Sequence, residues 1–164
     1  MRRIVSNTGP ILHLAEIKAL DLLRQAGEVH IPRAVDLELD RNTSEWPAGR
    51  PTWLTIHPPQ VASPEVGAWL RADVLHIGEA EALSLALWMK ADWFLTDDAA
   101  ARLLARTLGL EIHGSLGVVL WAAATGVVHL DQAQDLLDRL ARSSLWMSPR
   151  VLREARAALA SLFL

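Results

Sequence analysis

The chain has 164 residues, about half of them apolar, a formal net charge of −3 and no cysteine. That length suits one compact domain with its own core. The lack of cysteine excludes disulfides and thiolate zinc sites and agrees with a reducing cytoplasm, the location expected for it.

No window is long and apolar enough for a membrane span. The charged opening Met1-Arg2-Arg3 resembles the start of a secretion signal, but Asn7, Gly9, Pro10, His13 and Glu16 interrupt any apolar run behind it. The mildly acidic balance does not advertise nucleic-acid binding. Fourteen Arg against two Lys favour a two-pronged grip on phosphate or carboxylate, though biased genomic composition gives the same excess.

Residues 3–7 read as a short strand buried on both sides, being apolar without alternation. A helix follows from Gly9-Pro10, broken near Ile17-Lys18. "GEVHIP" predicts a second strand over 28–31, and Pro32 then fits the first turn of a helix carrying Asp36, Glu38 and Asp40, three acids that a solvated face explains. Residues 43–52 read as a loop, with two Pro and no period. Strands are expected over 53–58, 93–96 and 111–113, and helices over 64–72, 78–90 and 99–108. The tail is helical: a segment stopped at Gly126, another over 131–142, and a third after Ser148-Pro149, with Ser148 as N-cap. Helices alternating with buried strands indicate one α/β domain around a parallel sheet.

Ligands bind beyond the carboxyl ends of such strands, and two polar stretches lie there: Ser6-Asn7-Thr8, and Thr96-Asp97-Asp98. One Asp before a helix is an ordinary cap; a second beside it exceeds what one cap needs. Glu79 and Glu81, at the next helix start back, point about 200° apart and suit the helix dipole singly. With Glu38, these acids can converge on one crevice and hold a hard cation such as Mg²⁺ or Mn²⁺, which would activate water against a phosphodiester. No glycine-rich phosphate loop and no HExxH pair supports a nucleotide-cofactor or His-zinc reading.

In order, "IVSNTGPILHLAEI", "IPRAVDLEL", "IGEAEALSLAL" and "FLTDDAAARLLARTLGLEIHGSLGVVL" resemble the PIN-like nucleases, in the branch with a Ser-Asn/Asp-Thr-Ser-Pro-type opening and a Gly-Glu-x-Glu-Ala helix start. The match runs through residues 3–126, leaving 127–164 as a C-terminal helical extension of a single domain. The resemblance implies a three-layer α/β/α sandwich with a central parallel sheet and Mg²⁺- or Mn²⁺-dependent endoribonuclease activity. It also implies the toxin role of a VapBC-type pair, commonly dimeric and inhibited by a small antitoxin. Position by position, it implies a site of Asn7, Glu38, Glu81 and Asp98, with Glu79 the rival of Glu81, Asp97 beside Asp98, and Thr8 and Thr96 orienting ligands. Asn7 stands where the family usually has its first Asp, and brings no charge to an ion. The alternative is therefore a binding or scaffolding module with weakened or no catalysis.

Arg102 and Arg106, four apart on one helix face, are candidates for gripping RNA, as is a stripe of Arg150, Arg153 and Arg156; solvated faces explain both. Trp46, beside Pro47, is the Trp expected to be exposed for a partner. The apolar face of 130–141 packs on the domain or forms a dimer interface.

Overall fold

A computed structural model describes residues 1–163; Leu164, the end of the expected extension, lies outside them. Five strands form one parallel sheet: β1 (Arg3–Ser6), β2 (Glu28–Pro32), β3 (Leu54–His57), β4 (Trp93–Leu95) and β5 (Ile112–His113), in the order β3-β2-β1-β4-β5. Val5 of β1 pairs with His30 of β2 on one side and Phe94 of β4 on the other.

Alternate residues of the central strands feed two separate cores. Ile4, Trp93 and Leu95 enter one, with α1 (Thr8–Glu16), α2 (Asp21–Ala26), α3 (Arg33–Asn42), α8 (Ser115–Ala124), α9 (Leu130–Arg142) and α10 (Pro149–Ser161). Val5 and Phe94 enter the other, with α5 (Pro64–Arg71), α6 (Ile77–Met89) and α7 (Ala99–Thr107). Both faces being covered, the strands have no polar side to display, so they lack alternation. The result is the expected three-layer α/β/α sandwich with C-terminal helices added.

The helix break falls where expected, Lys18 taking a left-handed φ of 58° between α1 and α2. Ser148 caps α10 by accepting from Val151 N at 3.1 Å. The face of α9 is consumed by the core: Ala133, Leu136, Leu137 and Leu140 are buried, so packing on the domain, not a dimer interface, accounts for it.

One expectation is overturned between 43 and 52. That loop contains a short helix, α4 (Trp46–Gly49), and Trp46 is buried. Its indole Nε1 donates to Asp36 Oδ1 at 2.8 Å, and Arg50 donates to both oxygens of the same carboxylate at 2.9 and 3.0 Å. Asp36 is therefore a buried clamp and not part of a solvated acidic face.

Candidate active site

β1 and β4 are neighbours although some ninety residues apart, and the chain leaves β1 toward β2 on one side and returns to β4 on the other. This reversal of strand order is where an open parallel sheet leaves a crevice past its carboxyl edge. Asn7 N donates to Leu95 O at 2.9 Å, so the ladder runs one residue past β1 and sets Asn7 beside Thr96. A cleft of about 780 Å³ opens there. Asn7, Thr8, Thr96, Asp97 and Asp98 line it from the strand ends, His13 from α1, Glu38 from α3 and Glu79 from the first turn of α6.

Hydroxyls and backbone fix the polar groups. Asn7 Nδ2 donates to Thr96 Oγ1 at 3.3 Å, leaving its carbonyl Oδ1 for the cleft, and Asp98 N donates to the same hydroxyl at 3.1 Å. Thr8 donates to Glu38 Oε2. Both aspartates of the pair are caps, of different helices, which corrects the expectation that the second is surplus to capping. Asp98 accepts from Ala101 N at 2.7 Å at the start of α7. Asp97 accepts from Ser115 N at 2.7 Å at the start of α8, from the Ser115 hydroxyl, and from His13 Nδ1 at 2.6 Å.

These surroundings separate the two neighbours electrostatically. Burial pushes the Asp97 carboxyl up, but the bonds from His13 and Ser115 outweigh it and hold the group below the usual carboxylate range. Burial pushes Glu79 up, and the adjoining Asp98 carboxylate adds to that, only partly offset by the bond from His76 N. Glu79 and Asp98 line one cleft with Glu38 and Asp97, which gathers negative charge there.

The donors fit a hard divalent cation in kind, being carboxylate and amide oxygens. Among the described residues no three His, Asp or Glu side chains are close enough to form a ready ion cage. An ion held here would have to keep several of its waters, as Mg²⁺ can.

Of the residues picked out from sequence, Asn7, Thr8, Glu38, Glu79, Thr96, Asp97 and Asp98 share the cleft, and Glu81 does not line it. Ala34 N of α3 lies 3.4 Å from Glu81 Oε1, so Glu81 links α6 to α3 while Glu79 faces the cleft. Two residues along a helix cannot share a face. Arg102 folds back to donate to Thr96 O at 3.2 Å, while Arg106 is exposed and not on the cleft. Arg150 and Arg156 are paired with Glu154 and Asp138.

His13 and Ser115 were not picked out from sequence. His13 follows Gly9 by four residues on α1, hence on one face, and a Cβ at Gly9 would lie 3.4 Å from Asp97 Cβ; that spacing was the available signal. The cleft lining also includes Ser144, Leu145 and Trp146, from the connection between α9 and α10.

The family model of the PIN domain matches residues 3–161. The chain belongs to the PIN-domain family. Its match runs past residue 126 through α9 and α10, so the tail is part of what the family describes. No curated protein matches the chain. A PIN domain is a nuclease-type fold, and no helix among the described residues is long and apolar enough to cross a membrane.

Proposed function

We propose that this PIN domain is a divalent-metal-dependent endoribonuclease. The observation that carries the reading is the cleft past the strand ends, which Asn7, Glu38, Glu79 and Asp98 line together. Like charges are gathered there at a cost that a cation removes. Glu38, Glu79 and Asp98, with the Asn7 carbonyl, would hold Mg²⁺ or Mn²⁺, directly or through water. When bound, such an ion supplies a Lewis acid and lowers the pKa of water for attack on a phosphodiester.

The protein's own groups do the positioning. Thr96 Oγ1 ties the Asn7 amide to the Asp98 backbone, so the two strand ends hold one geometry. Thr8 orients Glu38. Asp97, occupied by His13 and Ser115, keeps α1 and α8 in place around the cleft and contributes charge rather than a free oxygen. On this reading the partners are RNA, a small antitoxin and a second copy of the chain; the toxin role rests on the family resemblance alone.

Asn7 favours a second reading, a binding module without useful catalysis, because it removes a charge from the first strand end. Cleavage of a structured RNA in Mn²⁺ separates the two, comparing the protein with Asp98→Asn. Asn caps a helix as well as Asp does, so this variant keeps α7 and loses only the charge. The nuclease reading expects cleavage by the protein and its loss in the variant. Equal cleavage by both removes the site, and cleavage by neither, with no Mn²⁺ bound at millimolar concentration, supports the binding module.

A further inference from the structure

The connection between α9 and α10, residues 143–148, is pinned on both sides of one aromatic residue. Ser144 N donates to Glu16 Oε2 at 2.8 Å and the Ser144 hydroxyl to Glu16 Oε1. Ser143 Oγ donates to Leu140 O at 2.7 Å and accepts from Leu145 N at 3.2 Å. Leu145 and Met147 pack against the core. Trp146, between two inward-facing neighbours, is turned outward and is 82% exposed, yet it lines the same cleft as Asn7 and Asp98. Trp46 and Trp93 are buried, Trp53, Trp69 and Trp121 pack against the two cores, and Trp88, exposed on α6, does not line the cleft, so Trp146 is set apart as an exposed indole at the acidic cleft.

We propose that Trp146 is a stacking platform for an unpaired nucleobase of the strand whose phosphate enters the carboxylate cleft. The inference rests on the nuclease reading for the place of the phosphate in the cleft, and it names a subsite outside the acidic centre. A flat apolar ring held at the mouth of an acidic cleft offers a base what the carboxylates cannot, because every base has a π-face and stacking needs no particular sequence. Arg41 and Asn42, at the end of α3, line the same cleft and are exposed. Among the described residues Arg41 makes no salt bridge, so its guanidinium can meet a phosphate next to the stacked base. Inside a duplex a base has both faces covered by its stacked neighbours, so the subsite selects unpaired RNA. Because the backbone that carries the indole is anchored before binding, only the side chain remains to be ordered when the strand arrives.

The test is strand binding, read by fluorescence anisotropy in millimolar Ca²⁺ with a labelled single-stranded RNA, its duplex, and the same strand carrying abasic sites. The expected result is preference for the intact single strand, weakened about 5- to 150-fold by Trp146→Ala and largely kept by Trp146→Phe. On the abasic strand Trp146→Ala should change nothing further. Trp146 is exposed, so an unaltered melting temperature will show that the variants fold. Equal affinity of protein and Trp146→Ala for the intact strand overturns the proposal and leaves the indole to a protein partner; absence of strand binding by the protein also overturns it. Cleavage in Mn²⁺ is scored separately. Binding through Trp146 without cleavage sinks the nuclease reading alone, whereas cleavage that Trp146→Ala does not weaken, with unchanged binding, sinks the platform alone.

Discussion

Gly78 and the Glu38 carboxylate compete for one space: a Cβ at Gly78 would lie 2.8 Å from Glu38 Cδ, closer than real Cβ atoms come. The helix start of α6 thus has a glycine where the facing acid needs room, not where the backbone needs freedom. Helix propensity alone would make Gly78→Ala stabilising by up to about 1 kcal/mol. The expected outcome is instead a displaced Glu38, with Mn²⁺ affinity and RNA cleavage falling about 10- to 100-fold and no gain in melting temperature. Calorimetric titration with Mn²⁺ beside a thermal melt checks both halves.

Asn7→Asp should act oppositely on binding and on stability. A carboxylate there can accept from the Thr96 hydroxyl that now accepts from Asn7 Nδ2, and it adds a charge to the cleft that Asp98 and Glu79 also line. Mn²⁺ should bind about tenfold more tightly or better, while the metal-free protein melts lower through like-charge repulsion. A melt with and without Mn²⁺ reads the crossing directly; unchanged metal affinity would remove Asn7 from the ion's surroundings.

Asp36 predicts a stability effect with no functional one. Its buried carboxylate takes the Trp46 indole N–H and the Arg50 guanidinium, so Asp36→Ala leaves a buried donor without a partner. The expected cost is about 2–4 kcal/mol in urea unfolding. Mn²⁺ binding by the folded fraction should be unaltered.

Acid should weaken the fold through a histidine pair on the sheet. His30 Nδ1 and His57 Nε2 are 2.8 Å apart. Burial, and then the neighbouring His57, lowers the His30 pKa, and burial lowers that of His57. The unfolded chain therefore takes up protons near 6.5 while the folded chain still resists them. Stability is complete above 6.5 and declines as pH falls below it toward the folded values. Melting temperatures between about pH 7.5 and 5 should fall more steeply for the protein than for His57→Gln. Asp97 adds a later limb: its depressed pKa gives stabilisation that is present above 3.8 and lost as pH drops through the folded value.

The strands and helices were legible because local pattern and burial agree. "WFL" is apolar without alternation since β4 is covered on both faces, and Gly126, with φ 78°, ends the α8 region as its position suggested. The strand-end residues of the cleft were legible for the same reason, since Asn7 and Thr96 follow recognisable strands. What sequence could not resolve was direction and partnership across elements. Glu79 and Glu81 carry the same local signals, and only the packing of α6 on α3 turns one inward to Ala34 and the other to the cleft. Asp97 looked surplus because its helix, α8, starts eighteen residues later. Trp46 looked exposed beside a proline because nothing local announces Asp36 as its acceptor.

The position of β1 in the middle of the sheet has a bearing on how the chain is made. Its flank toward β2 can close early in translation, but the other flank waits for β4, some ninety residues later, and such distant pairing is slow to form. Asn7 and Thr8 thus remain half of the cleft until Thr96, Asp97 and Asp98 have emerged from the ribosome. On the proposed nuclease reading, a chain built in this order is inert until β4 has formed, and fragments that stop short of Thr96 pose no danger to the RNA of the machine that synthesises them.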